Sequence, residues 1–282
     1  MKLYAISDLH LANKSNRDAL HSILPHNEDW LILAGDTGET VEHLKLALAI
    51  LTPKFRQIIW VPGNHDLWTI PLNNDGLKGE YKYKSLVNIC RTYNVITPED
   101  EYPQIKLKDK YYVIAPTFTL YDYSYRPDSV NYENAVDWAA ESGVVCTDED
   151  LLIPSPHNSI KEWCHIRCKY TELKLDKIPS SIPIIFVNHY PIIEKFAILP
   201  RFPRFTLWCG TKYTQNWLKK YNIKNVVYGH THIRLSIYWE DIKFDEVSLG
   251  YPRDWNEDKG IEYYLREIVP PNNGISTNVL EI

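Results

Sequence analysis

Side chains that bind metals occur at five separate places in this chain, each directly after an apolar run that fits a buried strand. The five places read Asp8-Leu9-His10, Gly35-Asp36, Gly63-Asn64-His65-Asp66, Asn188-His189 and Gly229-His230-Thr231-His232. In α/β proteins, ligands bind outside the carboxyl ends of the strands. Five groups of Asp, Asn and His that arrive at one such edge predict a metal centre with more than one ion.

The candidate ligands offer a mixture of oxygen and nitrogen donors. They are Asp8, His10, Asp36, Asn64, His189, His230 and His232. Such a set suits Mn, Fe, Zn or Co better than Mg or Ca, which favour shells made only of oxygen. Because no cysteine belongs to the set, a structural zinc site is not expected. Asp8 and His10 are two residues apart, and extended backbone would point both side chains the same way.

The elements that must position these residues alternate between strand and helix in the first part of the chain. The predicted order is strand 3–7, helix 16–23, strand 30–34, helix 40–50 and strand 57–61, with Ser15 or Asn16 capping the first helix. This alternation predicts a mainly parallel sheet. Later elements are predicted at 82–93, 131–141 and 158–172 for helices, at 111–115 and 182–188 for strands, and at 235–239 with 242–247 for an antiparallel hairpin.

The composition bounds the class of protein. Of the 282 residues, 44% are hydrophobic and 24% are charged, as in a globular protein with a large core. A net charge of −5 argues against binding a long nucleic acid, and the apolar runs are too short to span a membrane. The five irregularly spaced cysteines do not form a disulfide framework, and no signal peptide is visible, so we expect a cytoplasmic protein.

The order and spacing of the five motifs resemble those of the calcineurin-like metallophosphoesterases. The series Asp8-x-His10, Gly35-Asp36, Gly63-Asn-His-Asp66, His189 and Gly229-His-x-His232 contains every block of the family pattern. Between the blocks, 24 residues separate His10 from Gly35 and 26 separate Asp36 from Gly63. Each block is weak evidence alone, but the complete series is specific.

The resemblance implies a fold and a role for each residue. The fold is an α/β protein of four layers, an α/β/β/α sandwich of two mixed sheets, with a dinuclear metal site at the carboxyl ends of the strands. Asp8, His10 and His232 would hold one divalent ion, and Asn64, His189 and His230 would hold the other. Asp36 would bridge the two ions, of which Mn is favoured.

At such a site, two cations about 3.5–4 Å apart share a hydroxide that attacks phosphorus in line. His65 would not bind metal; it would donate a proton to the leaving oxygen. Asp66 follows it directly and would either orient the imidazole or brace the loop. The resemblance therefore implies a metal-dependent phosphoesterase.

The departures from related branches narrow this interpretation. The sequence after Asp36 lacks the Asp-Arg pair with which protein phosphatases grip phosphate, and Ser7-Asp-Leu-His-Leu11 resembles the bacterial phosphodiesterase-like branch. Phosphomonoester hydrolysis is the alternative, and a non-catalytic interaction module on the same fold is a second one. A deep arginine-lined pocket would favour a monoester, whereas an open groove would favour a diester. The expected partner is a small phosphorylated substrate, a nucleotide included, with no membrane.

Substrate selection is expected to lie in the segments outside the motifs. We predict a single domain, 1–282, with insertions resembling caps at about 67–110, 116–180 and 190–224. Candidate substrate contacts in these segments are Arg201, Arg204, Tyr123 and Arg126. The competing interpretations are a solvated loop for the two arginines at 201 and 204, and core packing for the aromatic loop near 123.

Overall fold

The computed structural model of the chain describes residues 1–71 and 76–270, which contain two mixed β-sheets. The strands of the first sheet, in the order β10-β1-β2-β3, are Arg266–Glu267, Leu3–Ile6, His26–Ala34 and Phe55–Val61. The strands of the second sheet, in the order β4-β5-β6-β7-β9-β8, are Gln104–Leu107, Lys110–Pro116, Ile184–Val187, Ile223–Tyr228, Ile242–Glu246 and Leu235–Trp239. Strands β1 to β3 are parallel, as are β5, β6, β7 and β9, and the remaining strands pair antiparallel at the edges.

The two sheets pack face to face, and each carries helices on its outer face. Along β3, Ile59 and Val61 belong to the apolar core between the sheets, whereas Ile58 and Trp60 belong to the core under the helices. This alternation explains why the strands read as continuous apolar runs, since both faces are buried. The predicted four-layer α/β/β/α sandwich is therefore confirmed.

The longer helices lie close to their predicted positions. The α-helices are α1 (Lys14–Leu20), α2 (Val41–Leu51), α3 (Asn64–Leu67), α4 (Gly79–Thr92), α5 (Ala135–Ala140), α6 (Asp148–Leu151), α7 (Ile160–Leu175) and α8 (Trp217–Lys220). Short 3-10 helices occupy 132–134, 194–196, 203–208, 212–214, 257–259 and 261–264. Helix α2 begins after Thr40 because the Thr40 side chain accepts a hydrogen bond from the backbone N–H of His43.

The predicted cap of α1 was wrong. The N-cap is Asn13, and Asn16 lies inside the helix with a fully buried side chain. Its amide donates to the carbonyls of Leu9 and Gly250 at 2.8 and 2.9 Å, and its oxygen accepts from the indole of Trp255 at 3.0 Å. Through these hydrogen bonds, Asn16 links the loop after β1 to the loop after β9.

The two sheets meet at the edge where β1 and β9 end. Ser7 pairs with Ser248 in an isolated parallel bridge; Ser7 N–H donates to Val247 O at 3.1 Å, and Leu249 N–H donates to Ser7 O at 2.9 Å. The carboxyl ends of both sheets are thereby held at one place. This bridge lies directly beneath the clustered candidate ligands described below.

Three other expectations concern the chain as a whole. All five cysteines are free thiols, which agrees with the predicted absence of a disulfide framework. Among the described residues, no helix has both the length and the apolar character to cross a bilayer. Residues 72–75 of the predicted insertion 67–110, and the end of the predicted domain at 271–282, lie outside the described residues.

Candidate active site

All seven candidate ligands converge at the shared edge of the two sheets. Asp8, Asp36 and Asn64 follow β1, β2 and β3, whereas His189, His230 and His232 follow β6 and β7. Two groups have ligand atoms within 4.8 Å of one another: Asp8, His10 and His232 form one, and Asp36, His189 and His230 form the other. Apart from the half-buried His232, these residues are buried.

Within each group the donor atoms face one another. His232 Nε2 lies 3.1 Å from Asp8 Oδ1 and 3.1 Å from His10 Nε2. In the second group, His189 Nε2 lies 3.4 Å from Asp36 Oδ2, and Asn64 joins this group with its Oδ1 3.2 Å from His189 Nε2. Separations near 3 Å between donor atoms are those of neighbouring ligands on one ion with metal–ligand bonds of about 2.0–2.2 Å.

The backbone that presents these side chains is left-handed, not extended as the spacing suggested. Asp8, His10, Asp36, His230 and His232 have φ angles of 53°, 42°, 51°, 71° and 52°. Non-glycine residues seldom adopt this region, and each costs of order 1–3 kcal/mol that the surrounding structure must offset. Such strain concentrates at functional sites. Asp8 and His10 lie in one group as expected, but left-handed backbone brings them together, not the extended backbone that the spacing suggested.

Glycines allow the strand ends to approach one another. Gly35 has a φ of 92°, and a Cβ there would lie 2.4 Å from His189 Nδ1. A Cβ at Gly63 would lie 2.0 Å from Asp36 Oδ1, although its φ is ordinary. These positions accept only glycine because a ligand side chain occupies the space of the missing methyl group.

The electrostatics of the cluster balance two carboxylates against two protonated imidazoles. Burial lowers the pKa of His189, but the charge of Asp36 outweighs it and raises that pKa to about 10. Burial also lowers the pKa of His232, but the hydrogen bond and the charge of Asp8 outweigh burial and raise that pKa to about 9. Burial, assisted by a neighbouring positive imidazole, lowers the pKa of His230 to about 3 and that of His10 to about 4.

The protons on His189 and His232 occupy positions at which divalent ions would bind. Burial raises the pKa of Asp8 and Asp36, but the histidine charges outweigh it and hold both pKa values below the usual range, so both carboxylates are ionised. His230 Nε2 is buried and has no hydrogen-bond partner among the described atoms. A buried donor set of this kind, with ionised carboxylates and an unpartnered imidazole nitrogen, binds cations in exchange for protons.

His65 lies beside this cluster on α3. Its Nε2 is 4.0 Å from Asp36 Oδ2, and it forms a third group of possible ligand atoms with His10 and Asp36. Its ring stacks on Trp68 with centroids 3.6 Å apart, and its Nδ1 lies 3.8 Å from Glu39 Oε1. Burial lowers the pKa of His65, but Asp36 and Glu39 together raise it above its usual value, which favours the protonated ring.

Asp66 braces the loop around His65 instead of touching the imidazole. Its carboxylate accepts from Gly63 N–H at 2.9 Å and from Gly38 N–H at 3.4 Å. The carboxylate that faces the His65 ring belongs to Glu39, in the loop that begins with Asp36. Of the two roles left open for Asp66, the structure therefore places it in the bracing one.

Several residues around the ligands were missed by the sequence reasoning. Asp254 Oδ2 accepts from His232 Nδ1 at 3.0 Å, and Ala34 O accepts from His189 Nδ1 at 2.9 Å. These bonds fix each ring so that Nε2 points at the cluster. Ser7 and Ser248 donate to Asp8 Oδ2 at 2.6 and 2.7 Å.

Asp148, on α6, was also missed. Its Oδ1 accepts from Asn64 Nδ2 at 2.9 Å and from Trp68 Nε1 at 2.6 Å. One carboxylate therefore turns the oxygen of Asn64 toward His189 and holds the indole that stacks on His65. No spacing in the sequence signals this contact, because 84 positions separate Asn64 from Asp148.

A cavity of about 840 Å³ opens beside the cluster. Its floor includes Asp36, Asn64, His65 and His230, and its walls come from residues 145–148, 199–202, 205, 251, 253 and 254. Arg201, one of the predicted substrate contacts, lines this cavity, and so does Arg253.

The other three predicted substrate contacts do not line the cavity. Arg204 donates to the carbonyl of Trp138 and to Glu141 at 3.1 Å. Tyr123 is buried and donates to Glu149 at 2.7 Å, while Arg126 donates to the carbonyls of Val130 and Tyr123. These contacts match the alternative of packing for the aromatic loop; Arg204, expected to be either a clamp or a solvated charge, instead ties two segments together.

The fold and the site indicate a class of protein, and comparisons with known proteins support that class. A family model described as calcineurin-like phosphoesterase matches residues 1–234, and the chain belongs to this family. It is accordingly a phosphoric ester hydrolase, and membership implies divalent metal ions as cofactors.

Two comparisons concern one particular relative. The chain is 39% identical over 270 residues to the [acyl-carrier-protein] phosphodiesterase PptH of Mycobacterium tuberculosis, covering 95% of this chain and 83% of that protein. The crystal structure of phosphopantetheinyl hydrolase (PptH) from M. tuberculosis superposes with a TM-score of 0.91 at 38% identity, covering 98% of each chain.

Proposed function

We propose that this protein is a phosphodiesterase that removes the phosphopantetheinyl group from a serine of an acyl carrier protein. The observation that carries the proposal is the likeness to the M. tuberculosis phosphodiesterase, which extends over 98% of both structures. Such coverage includes the segments that form the cavity walls, not only the family motifs. Because those segments select the substrate, likeness over the whole chain supports a shared substrate class.

The shape of the cavity supports a diester over a monoester. Its volume of about 840 Å³ is far larger than a phosphate group needs and is in the upper part of the range for pockets that bind extended small molecules. Among the described residues that line it, the arginines are Arg201 and Arg253. Apolar wall surface comes from Val145, Leu199, Pro200, Phe202, Phe205 and Ile233. A phosphopantetheinyl arm, which is long and uncharged beyond its phosphate, fits such walls.

The metal assignment follows the two groups of donor atoms. We infer that Asp8, His10 and His232 would hold one divalent ion and that Asn64, His189 and His230 would hold the second, with the carboxylate of Asp36 available to both. Manganese is the ion we favour, because the donor set mixes carboxylate, amide and imidazole. When bound, the two ions supply a hydroxide nucleophile at neutral pH and neutralise charge on the phosphoryl oxygens.

The chain's own part in the reaction centres on His65. In the overall hydrolysis, water adds to phosphorus, the bond from phosphorus to the serine oxygen breaks, and that oxygen gains a proton. His65 lines the cavity beside Asp36, packs against Trp68 and has its Nδ1 3.8 Å from Glu39; this position supports its proposed role as the donor of that proton. Arg201 is the remaining candidate for contacting a phosphoryl oxygen.

Two further predictions from the sequence, a single domain and a cytoplasmic location, are part of this proposal. We keep the single domain 1–282, because the strands of both sheets share one core and the insertions 116–180 and 190–224 supply walls of the same cavity. We also keep a cytoplasmic location, which the five free thiols support.

The test is a substrate panel with added Mn. Holo carrier protein, bis-p-nitrophenyl phosphate and p-nitrophenyl phosphate are compared at equal enzyme concentration, and mass spectrometry of the carrier protein reports loss of the phosphopantetheinyl group. We expect release from the carrier protein and faster turnover of the diester than of the monoester. An enzyme that prefers p-nitrophenyl phosphate and leaves the carrier protein intact would refute the proposal.

A further inference from the structure

The mouth of the catalytic cavity has an unusual surface. Val145, Phe202 and Ile233 all line the cavity, yet they are 77%, 56% and 37% exposed. They come from three distant segments of the chain, and the floor beneath them is polar and buried. We call these three residues the apolar rim; exposed apolar side chains gathered around a functional opening mark a binding surface.

Two exposed arginines stand at this mouth, although the chain as a whole is negative. Arg201 forms no ion pair within the described part of the chain, and the Arg253 side chain is 82% exposed although its Nε lies 3.7 Å from Asp254 Oδ1. The carboxylates of the cavity accept hydrogen bonds within the site: Asp36 from His65 N–H, Asp148 from Asn64, and Asp254 from Tyr251 N–H. The most exposed charged groups at the mouth are therefore the two arginines, which suit an acidic surface on a partner.

The apolar rim stands on a rigid base. Trp208 is fully buried and donates to Glu149 at 2.6 Å, which ties the segment of Phe202 to the segment of Val145. Arg204 adds a second tie through Trp138 and Glu141. A surface that is already ordered before binding loses little conformational entropy on association.

The geometry points to a docking surface for a folded protein. We propose that the apolar rim, together with Arg201 and Arg253, binds the acidic surface of the carrier protein around its modified serine. This inference rests on the proposed function, because the bond to be broken is attached directly to a protein. With phosphorus at the cavity floor and the serine only one ester bond away, the folded carrier must cover the mouth.

The experiment compares three substrates that share a phosphodiester. They are the holo carrier protein, a short peptide with the same phosphopantetheinyl serine, and bis-p-nitrophenyl phosphate. The variant is the double substitution Val145→Ser with Phe202→Ser. We expect its KM for the carrier protein to rise at least about tenfold, since loss of apolar contacts at an interface commonly costs about 1.4 kcal/mol, which is a factor of ten, and its KM for the peptide to rise much less.

The contribution of positive charge to binding of the carrier protein is tested with Arg253→Glu. Arg201 is left unchanged because it is also a candidate phosphate contact. We expect this variant to lower kcat/KM for the carrier protein and to reduce its dependence on salt. Matched controls lie on α7, away from the cavity: Leu173→Ser replaces an exposed apolar residue and Lys169→Glu reverses an exposed charge. Neither control should alter the KM for the carrier protein.

The outcomes separate the docking surface from the proposed function. An unchanged KM for the carrier protein in the double variant overturns the docking inference, and so does an equal loss on the peptide, which would place the pantetheine arm on the rim. If wild-type enzyme hydrolyses the small diester but releases nothing from the carrier protein, the proposed function itself fails.

Discussion

The contacts of His65 support its proposed role as a proton donor, and the weight of that role should depend on the leaving group. Replacing His65 with Asn removes the proposed donor, which lies 4.0 Å from Asp36 and packs against Trp68. For a serine leaving group, which needs the proton, we expect kcat to fall about 10²–10⁴-fold. For a p-nitrophenolate leaving group, which departs without one, the loss should be smaller. Steady-state kinetics on both substrates measure the difference; equal losses on both would contradict the assignment.

A second prediction at this scale concerns Asp148, which holds both Asn64 and Trp68. In Asp148→Ala the two donors lose their acceptor, and each unpaired buried group costs about 1–3 kcal/mol. Since Asn64 is a proposed ligand, we also expect Mn affinity to fall about 10–100-fold. Titration of the apoprotein with Mn and thermal unfolding measure the two effects.

The control for this prediction uses a neighbour and a conservative variant. Glu149→Ala removes the acceptor of Tyr123 and Trp208, so it should destabilise the fold while leaving Mn affinity unchanged. Asp148→Asn keeps a side-chain oxygen and should restore most of the affinity. Mn affinity that is equally weak in the Glu149 variant would mean that Asp148 acts only through stability.

At the scale of elements, the turn after β3 depends on a glycine for steric reasons alone. A methyl group at Gly63 would lie 2.0 Å from Asp36 Oδ1, while the φ of Gly63 is an ordinary −100°. Gly63→Ala should therefore displace Asp36 and abolish binding of both Mn ions, as measured by metal analysis. Gly260→Ala is the matched control: its φ of 66° and ψ of 158° favour glycine but its methyl group would meet nothing, so about 1–3 kcal/mol of backbone strain is expected and Mn binding should persist.

The elements also show what the sequence can and cannot predict. Strands such as β3 are recognisable because burial on both faces leaves a continuous apolar run, and the ligands follow because strand ends share one edge. The left-handed backbone at Asp8 and His230 has no such signal, since it is imposed by the packing of neighbouring strand ends. The same holds for Asp148 and Glu39, whose contacts arise only when distant segments meet.

At the scale of the whole molecule, segments that contain none of the five motifs shape the cavity beside the candidate ligands. The walls near 145–148 and 199–205 belong to different insertions, and the Trp208–Glu149 hydrogen bond joins them. Among the four predicted substrate contacts, only Arg201 lines that cavity. Residue type and loop membership therefore identify which insertions matter, but tertiary packing decides which side chains face the substrate.

Metal binding should stabilise the whole fold, because the proposed ligands come from both sheets. An ion that binds only the folded state adds about 2.7 kcal/mol at a concentration 100 times its Kd, and each kcal/mol shifts Tm by about 2–4 °C for a domain of 150–250 residues. We therefore expect a chelator to lower Tm by several degrees, and excess Mn to restore it. Differential scanning calorimetry measures both changes.

Two variants distinguish this effect from unspecific binding of Mn. Asp36→Asn removes a carboxylate close to both proposed ion sites, so its Tm should respond little to the chelator or to Mn. His165→Asn removes the imidazole that forms a 2.8 Å hydrogen bond with Asp122, away from the residues that line the cavity, and should keep the full Mn-dependent shift. A wild-type Tm that ignores both chelator and Mn would contradict a metal centre that joins the two sheets.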